Sequence, residues 1–262
     1  SIDTFISQQR LFETYLLRAD IQIMMKKFAY GISDCREAIK IDPQSPRGFS
    51  LRGFALIKIG NEDDAIRDFD EAIRLDSHRS IDFYNRGVAN IILSKYESSI
   101  SDFNESIRLD PFNSDSFLCR GISKYYLDKN IESLRDFNIA IQYNSKDSSA
   151  FYWRGVLKNK LEIYEDSIED LTKAIKINPS HHNYFYQRGI SYKSLGQYEA
   201  ALRDFNASEN FGYKYCLPTP NNSLKFKNQF SKIKILEGIT IKFVNLIKKR
   251  IYRFKLSFNS EK

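Results

Sequence analysis

The 262-residue chain contains no run of about eighteen apolar residues, so no membrane-spanning helix is expected. Ser1 to Arg10 lacks a basic start followed by an apolar core, so no secretory signal is read there. Cysteine is scarce. Cys35, Cys119 and Cys216 are odd in number and far apart in sequence, which argues against a disulfide framework and for a reducing, cytoplasmic setting. Histidine occurs only at His78, His181 and His182, and no Cys/His cluster has metal-ligand spacing. The His181-His182 pair follows Pro179 and Ser180 and is expected as a solvated loop pair. No phosphate-binding glycine loop, dinucleotide fingerprint or nucleophile elbow is present, so no catalytic residue, cofactor or small-molecule substrate is expected. With 11 Gly and 6 Pro, punctuation is too sparse for an all-β protein and suits helices joined by short turns.

What the chain does have is 42% apolar and 28% charged residues, which makes it globular rather than disordered, and a strict internal period. Arg-Gly occurs at Arg52-Gly53, Arg86-Gly87, Arg120-Gly121, Arg154-Gly155 and Arg188-Gly189, each 34 residues after the last, with Arg18-Ala19 one step earlier. Three residues before each Arg stands an aromatic: Tyr15, Phe49, Phe83, Phe117, Phe151 and Phe185. Sixteen after it stands an aspartate: Asp34, Asp68, Asp102, Asp136, Asp170 and Asp204. A small residue recurs twelve after each Gly or Ala, at Gly31, Ala65, Ser99, Ser133, Ser167 and Ala201. Each copy holds two amphipathic segments of about a dozen residues joined by a short turn, which predicts an antiparallel helix pair. In the third copy these are roughly Ile81 to Leu93 and Glu97 to Leu109. One such pair cannot bury its apolar face alone, so the copies must stack.

These columns resemble the tetratricopeptide repeat, with its W-x2-L-G-x2-Y, A-x3-F and P pattern. The last copy carries Phe185, Arg188-Gly189, Tyr192, Ala201 and Phe205 at the matching places, and Arg departs from the Leu that usually precedes the Gly. The resemblance implies an all-α, right-handed α-solenoid of six helix-turn-helix repeats. The predicted organisation is a lead-in (1–11), six repeats (12–45, 46–79, 80–113, 114–147, 148–181 and 182–215) and a basic C-terminal extension (216–262) read as a capping helix. It also implies a protein-interaction scaffold or adaptor, not an enzyme. Only the 47 residues from 216 to 262 follow the array, too few for a catalytic domain.

Numbered from 1 to 34 within each copy, the Arg is position 7 and the Asp position 23. An antiparallel pair turning near position 16 sets them at one height. The pairs Arg52 and Asp68, Arg86 and Asp102, Arg120 and Asp136, Arg154 and Asp170, and Arg188 and Asp204 are therefore read as a structural ladder fixing hairpin register, not as a row of cations for an acidic ligand. In the resembled family, positions 2, 5, 6, 9, 12 and 13 of the first helix line a concave groove. Here they supply the candidate partner-binding residues Phe54, Tyr84, Asn85 and Tyr125, then Tyr152, Trp153, Tyr186 and Gln187. Aromatics with a polar tip suit a half-wet protein-binding surface for a peptide or helix. Family members that hold a chaperone's C-terminal carboxylate use a Lys/Asn/Arg clamp in this groove. Leu16, Asp20, Ser50, Leu51, Ile81 and Asn85 stand there instead, so a chaperone tail is not the expected partner.

From Cys216 to Lys262, nine Lys and two Arg face Glu237 and Glu261, a net of 11 − 2 = +9 in a chain of net +7. The alternative function is therefore an adaptor acting on a membrane surface or nucleic acid through residues 216–262. The near-neutral array argues against nucleic acid binding by the repeats themselves.

Overall fold

A computed structural model describes residues 2–211. Among these residues the chain is all helix and turn, with twelve α-helices paired into six hairpins. The pairs are α1 (Ile2–Met24) with α2 (Phe28–Ile41), α3 (Pro46–Lys58) with α4 (Glu62–Leu75), and α5 (Ser80–Ile92) with α6 (Tyr96–Leu109). They continue as α7 (Ser114–Tyr126) with α8 (Asn130–Tyr143), α9 (Ser148–Lys160) with α10 (Tyr164–Ile177), and α11 (His182–Ser194) with α12 (Tyr198–Asn210). Hairpin boundaries follow the 34-residue period. α1 begins at Ile2, so residues 2–11, expected as a lead-in, are helical and continuous with the first helix of repeat one. The extension 216–262, with its expected capping helix, lies outside the described residues.

The periodic columns explain the hairpin. At each position 8 a small residue lets the second helix approach. A Cβ on Gly121 would stand 2.7 Å from Phe137 Cε1, and one on Gly87 2.8 Å from Phe103 Cζ. Phe69, Phe103, Phe137 and Leu171, all fully buried, fill the space these glycines leave. The small position 20 brings the backbones together in another way: Ser133 and Ser167 donate their hydroxyls to the carbonyls of Gly121 and Gly155 at 2.7 and 2.8 Å. Successive repeats are joined by buried serines, Ser99 to Ser123 at 2.7 Å and Ser106 to Ser116 at 2.9 Å.

One turn feature was invisible in the pattern. Position 15 takes a left-handed backbone in all six repeats, at Lys26, Gly60, Ser94, Asp128, Glu162 and Gly196, with φ between 58° and 78°. Only two of the six are glycine, although this conformation disfavours a Cβ.

Candidate functional site

The Arg and Asp columns meet within each hairpin. In five repeats Nε and Nη2 of the Arg each bond a different carboxylate oxygen, as between Arg120 and Asp136 at 2.9 and 2.7 Å or Arg154 and Asp170 at 2.9 and 2.6 Å. Arg86 places both nitrogens on one oxygen of Asp102, at 3.0 and 2.6 Å, and Asn90 takes the other at 2.9 Å. The third nitrogen, Nη1, reaches back to position 25 of the preceding repeat: Arg86 to Asp70, Arg120 to Asn104, Arg154 to Asn138 and Arg188 to Thr172, at 2.6 to 2.9 Å. Each guanidinium also lies 5.2 to 5.8 Å from the ring at position 4 of its own helix. Every donor edge in the middle of the array is thus committed to the fold. Burial pushes the Asp68 and Asp102 carboxyls above the usual carboxylate range, although their arginines pull the other way.

The groove forms where the first helices of repeats one to three stand side by side. It encloses about 460 Å³ between α1, α3 and α5. Its apolar lining comes from Leu17, Leu51, Phe54, Ile81 and Tyr84, over buried Leu16. Its polar lining is Asp20, Arg47, Ser50, Arg79 and Asn85. Leu16, Asp20, Ser50, Leu51, Ile81 and Asn85, the residues that the sequence sets at the places of a chaperone-tail clamp, all line it. The Tyr84 hydroxyl faces the Cys119 sulfur of the next repeat at 3.9 Å. That thiol and burial raise the phenol's pKa, keeping it neutral.

The structure places Phe54, Tyr84 and Asn85 together on this groove, but it does not extend the surface to every aromatic on the same helical face. Tyr152 and Trp153, expected as accessible, are buried to 5% and 3% exposure. The reason is mutual cover: Trp153 is edge-on to Tyr125, Tyr126 and Tyr152, with centroids 5.6 to 6.1 Å apart. Tyr125 is capped by Lys160, whose ammonium lies 4.5 Å over its ring. Tyr186 rests on Phe205, and the Gln187 carbonyl accepts from Asn159 at 3.0 Å. His181 and His182, expected as solvated, are half-buried, and His181 stacks on Tyr184 at 4.3 Å.

Sequence reasoning missed Asp82 and Arg79. Asp82 is fully buried at position 3, accepts from Arg79 Nε at 2.7 Å and also accepts the Ser50 hydroxyl. The signal was available: position 3 is Thr14, Gly48, Ser116, Ala150 and Tyr184 elsewhere, so a carboxylate there breaks the column. Among the described residues no cluster of three or more His, Cys, Asp or Glu could hold a metal ion, and no helix is long and apolar enough to cross a membrane.

The model of the tetratricopeptide repeat family matches residues 83–113 and 148–181, the core of repeat three and all of repeat five. Among solved structures, that of Pseudomonas aeruginosa pilF is similar with a TM-score of 0.70 at 14% identity, covering 80% of this chain and 95% of that one. A chain of the APC/C hetero-tetramer Cut9–Hcn1 gives 0.71 at 15% identity, covering 78% and 41%. YrrB, described as a TPR protein with an unusual peptide-binding site, gives 0.55 at 19% identity, covering 69% and 93%. No curated protein sequence matches the chain. The fold is that of an α-helical repeat array. Two of its six hairpins match the tetratricopeptide repeat, a repeat that generally serves in protein–protein interaction scaffolds.

Proposed function

We propose that this array is a scaffold that binds a peptide or helix of another protein in the groove between α1, α3 and α5. The observation that carries this reading is the contrast along the array. In repeats one to three the groove-facing side chains leave an open, mostly apolar channel, whereas in repeats four and five Tyr152 and Trp153 close over their own neighbours. Open apolar surface rimmed by polar groups is the usual mark of a protein-binding site. The ladder arginines are spent on Asp partners, which disfavours a ligand held by that column. YrrB, similar in fold, is named for its peptide-binding site, and the same class of ligand fits here.

Selection of a phage-displayed random peptide library on the full chain tests the reading. Binders should emerge and should lose binding to a Phe54→Asp variant of unchanged melting temperature. Binders indifferent to that change would contradict it. A second role for residues 216–262, on an anionic surface, rests on their +9 charge and is separable by co-sedimentation with anionic and neutral vesicles.

A further inference from the structure

Asp82 is an expensive residue for the fold to carry. It has no solvent exposure, it stands outside the Arg/Asp ladder, and the same position in the other five repeats holds no charge. A buried carboxylate is tolerated only when paired and hydrogen-bonded. Both of its partners, Arg79 and Ser50, are groove-lining residues. Asp82 engages Arg79 through Nε, which fixes the plane of the guanidinium and leaves the Nη edge for another acceptor. Arg79 immediately precedes α5, and Arg47 lies in the first turn of α3, where the positive helix ends add to their charge. Arg47 pairs through Nη1 with Glu13 at 3.2 Å. Asp20 is the one acid among the groove-lining residues and stands seven repeat positions further along than Arg47.

Building on the groove reading above, we infer that the occupant is an apolar peptide segment carrying an acidic side chain. Its carboxylate is received by Arg79, with Arg47 beside it. Asp82 is the positioning residue that aims Arg79. The apolar part of the segment lies along Leu51, Phe54, Ile81 and Tyr84, and Asp20 repels the acid from the other end, which sets the direction of binding.

The test uses peptides displayed through their C-termini, so that no free terminal carboxylate is present. Selected sequences should combine apolar residues with Asp or Glu. Replacing that residue by its amide should weaken binding to the native chain at least about tenfold, as expected for a hydrogen-bonded charge pair. The same replacement should matter little to Arg79→Gln, and less to Asp82→Asn than to the native chain, while Arg79→Lys should restore part of the preference. A purely structural Asp82 would change the melting temperature and leave the acid-to-amide ratio untouched, which would overturn the proposal. Apolar binders without an acid, still sensitive to Phe54→Asp, would also overturn it and leave the groove reading standing. Binders insensitive to Phe54→Asp, or none at all, would remove both.

Discussion

Arg120 grips both carboxylate oxygens of Asp136 inside its own hairpin while its remaining nitrogen reaches Asn104 in the repeat before, at 2.7 Å. One side chain thus sets the register of a hairpin and the spacing between two repeats. The junction between the first two repeats is the exception. Position 25 of repeat one is Arg36, a cation, and cannot accept from Arg52.

The ladder predicts unequal costs along the array. Arg120 is 17% exposed against 57% for Arg18, and its partner Asp136 is also held by Lys124 at 2.9 Å. Arg120→Asp should destabilise by about 3 kcal/mol or more, because it sets a second carboxylate against a buried one. Arg18→Ala should cost much less, since more than half of that side chain is exposed and its ion pair is screened by solvent. Urea melts of the two variants check this, and equal losses would contradict it.

Gly121→Leu should cost roughly 1–3 kcal/mol by overpacking. Even a Cβ would stand 2.7 Å from the fully buried Phe137 ring, which has no free space to enter. A melting temperature equal to the parent's would show that the two helices can separate freely.

At the turn of repeat five, Glu162 holds φ at 62°. Glu162→Gly should stabilise the chain by about 0.5–1 kcal/mol, the relief of a left-handed Cβ outweighing the extra freedom of glycine when unfolded. Gly60→Ala, at φ 78°, should do the reverse. Chemical denaturation of both variants reads the two signs.

His181 introduces a pH dependence. Burial, and then the neighbouring His182, hold its pKa below the ordinary histidine value. The unfolded chain therefore takes up a proton near pH 6.5 that the folded chain resists, so stability is lost as pH falls below about 6.5. Melting curves between about pH 7.5 and 5.5 should show a larger drop for the native chain than for His181→Gln.

Much of the fold was legible because it repeats. A glycine or alanine every 34 residues, an aromatic three before its Arg and an Asp sixteen after it each report one packing requirement six times over. The left-handed turn was not legible, since Gly60 and Gly196 mark it in only two repeats and the backbone forces Lys26, Ser94, Asp128 and Glu162 into the same shape. The groove was half legible. A helical wheel gives the direction in which Phe54, Tyr84 and Trp153 leave their helices, but not whether a neighbour covers them. Phe54 and Tyr84 border the open channel, while Trp153 is closed off by Tyr125 and Tyr126. Asp82 escaped because attention to periodic columns passes over the residue that breaks one.

The most direct measurement of where this scaffold binds is amide hydrogen exchange of the full chain with and without a selected peptide at saturation. Protection should rise in the first-helix segments around Leu51, Phe54, Ile81 and Tyr84 and stay unchanged around Tyr152, Trp153 and Tyr186. Protection centred on repeats four to six, with α3 and α5 unaffected, would contradict the placement of the binding groove.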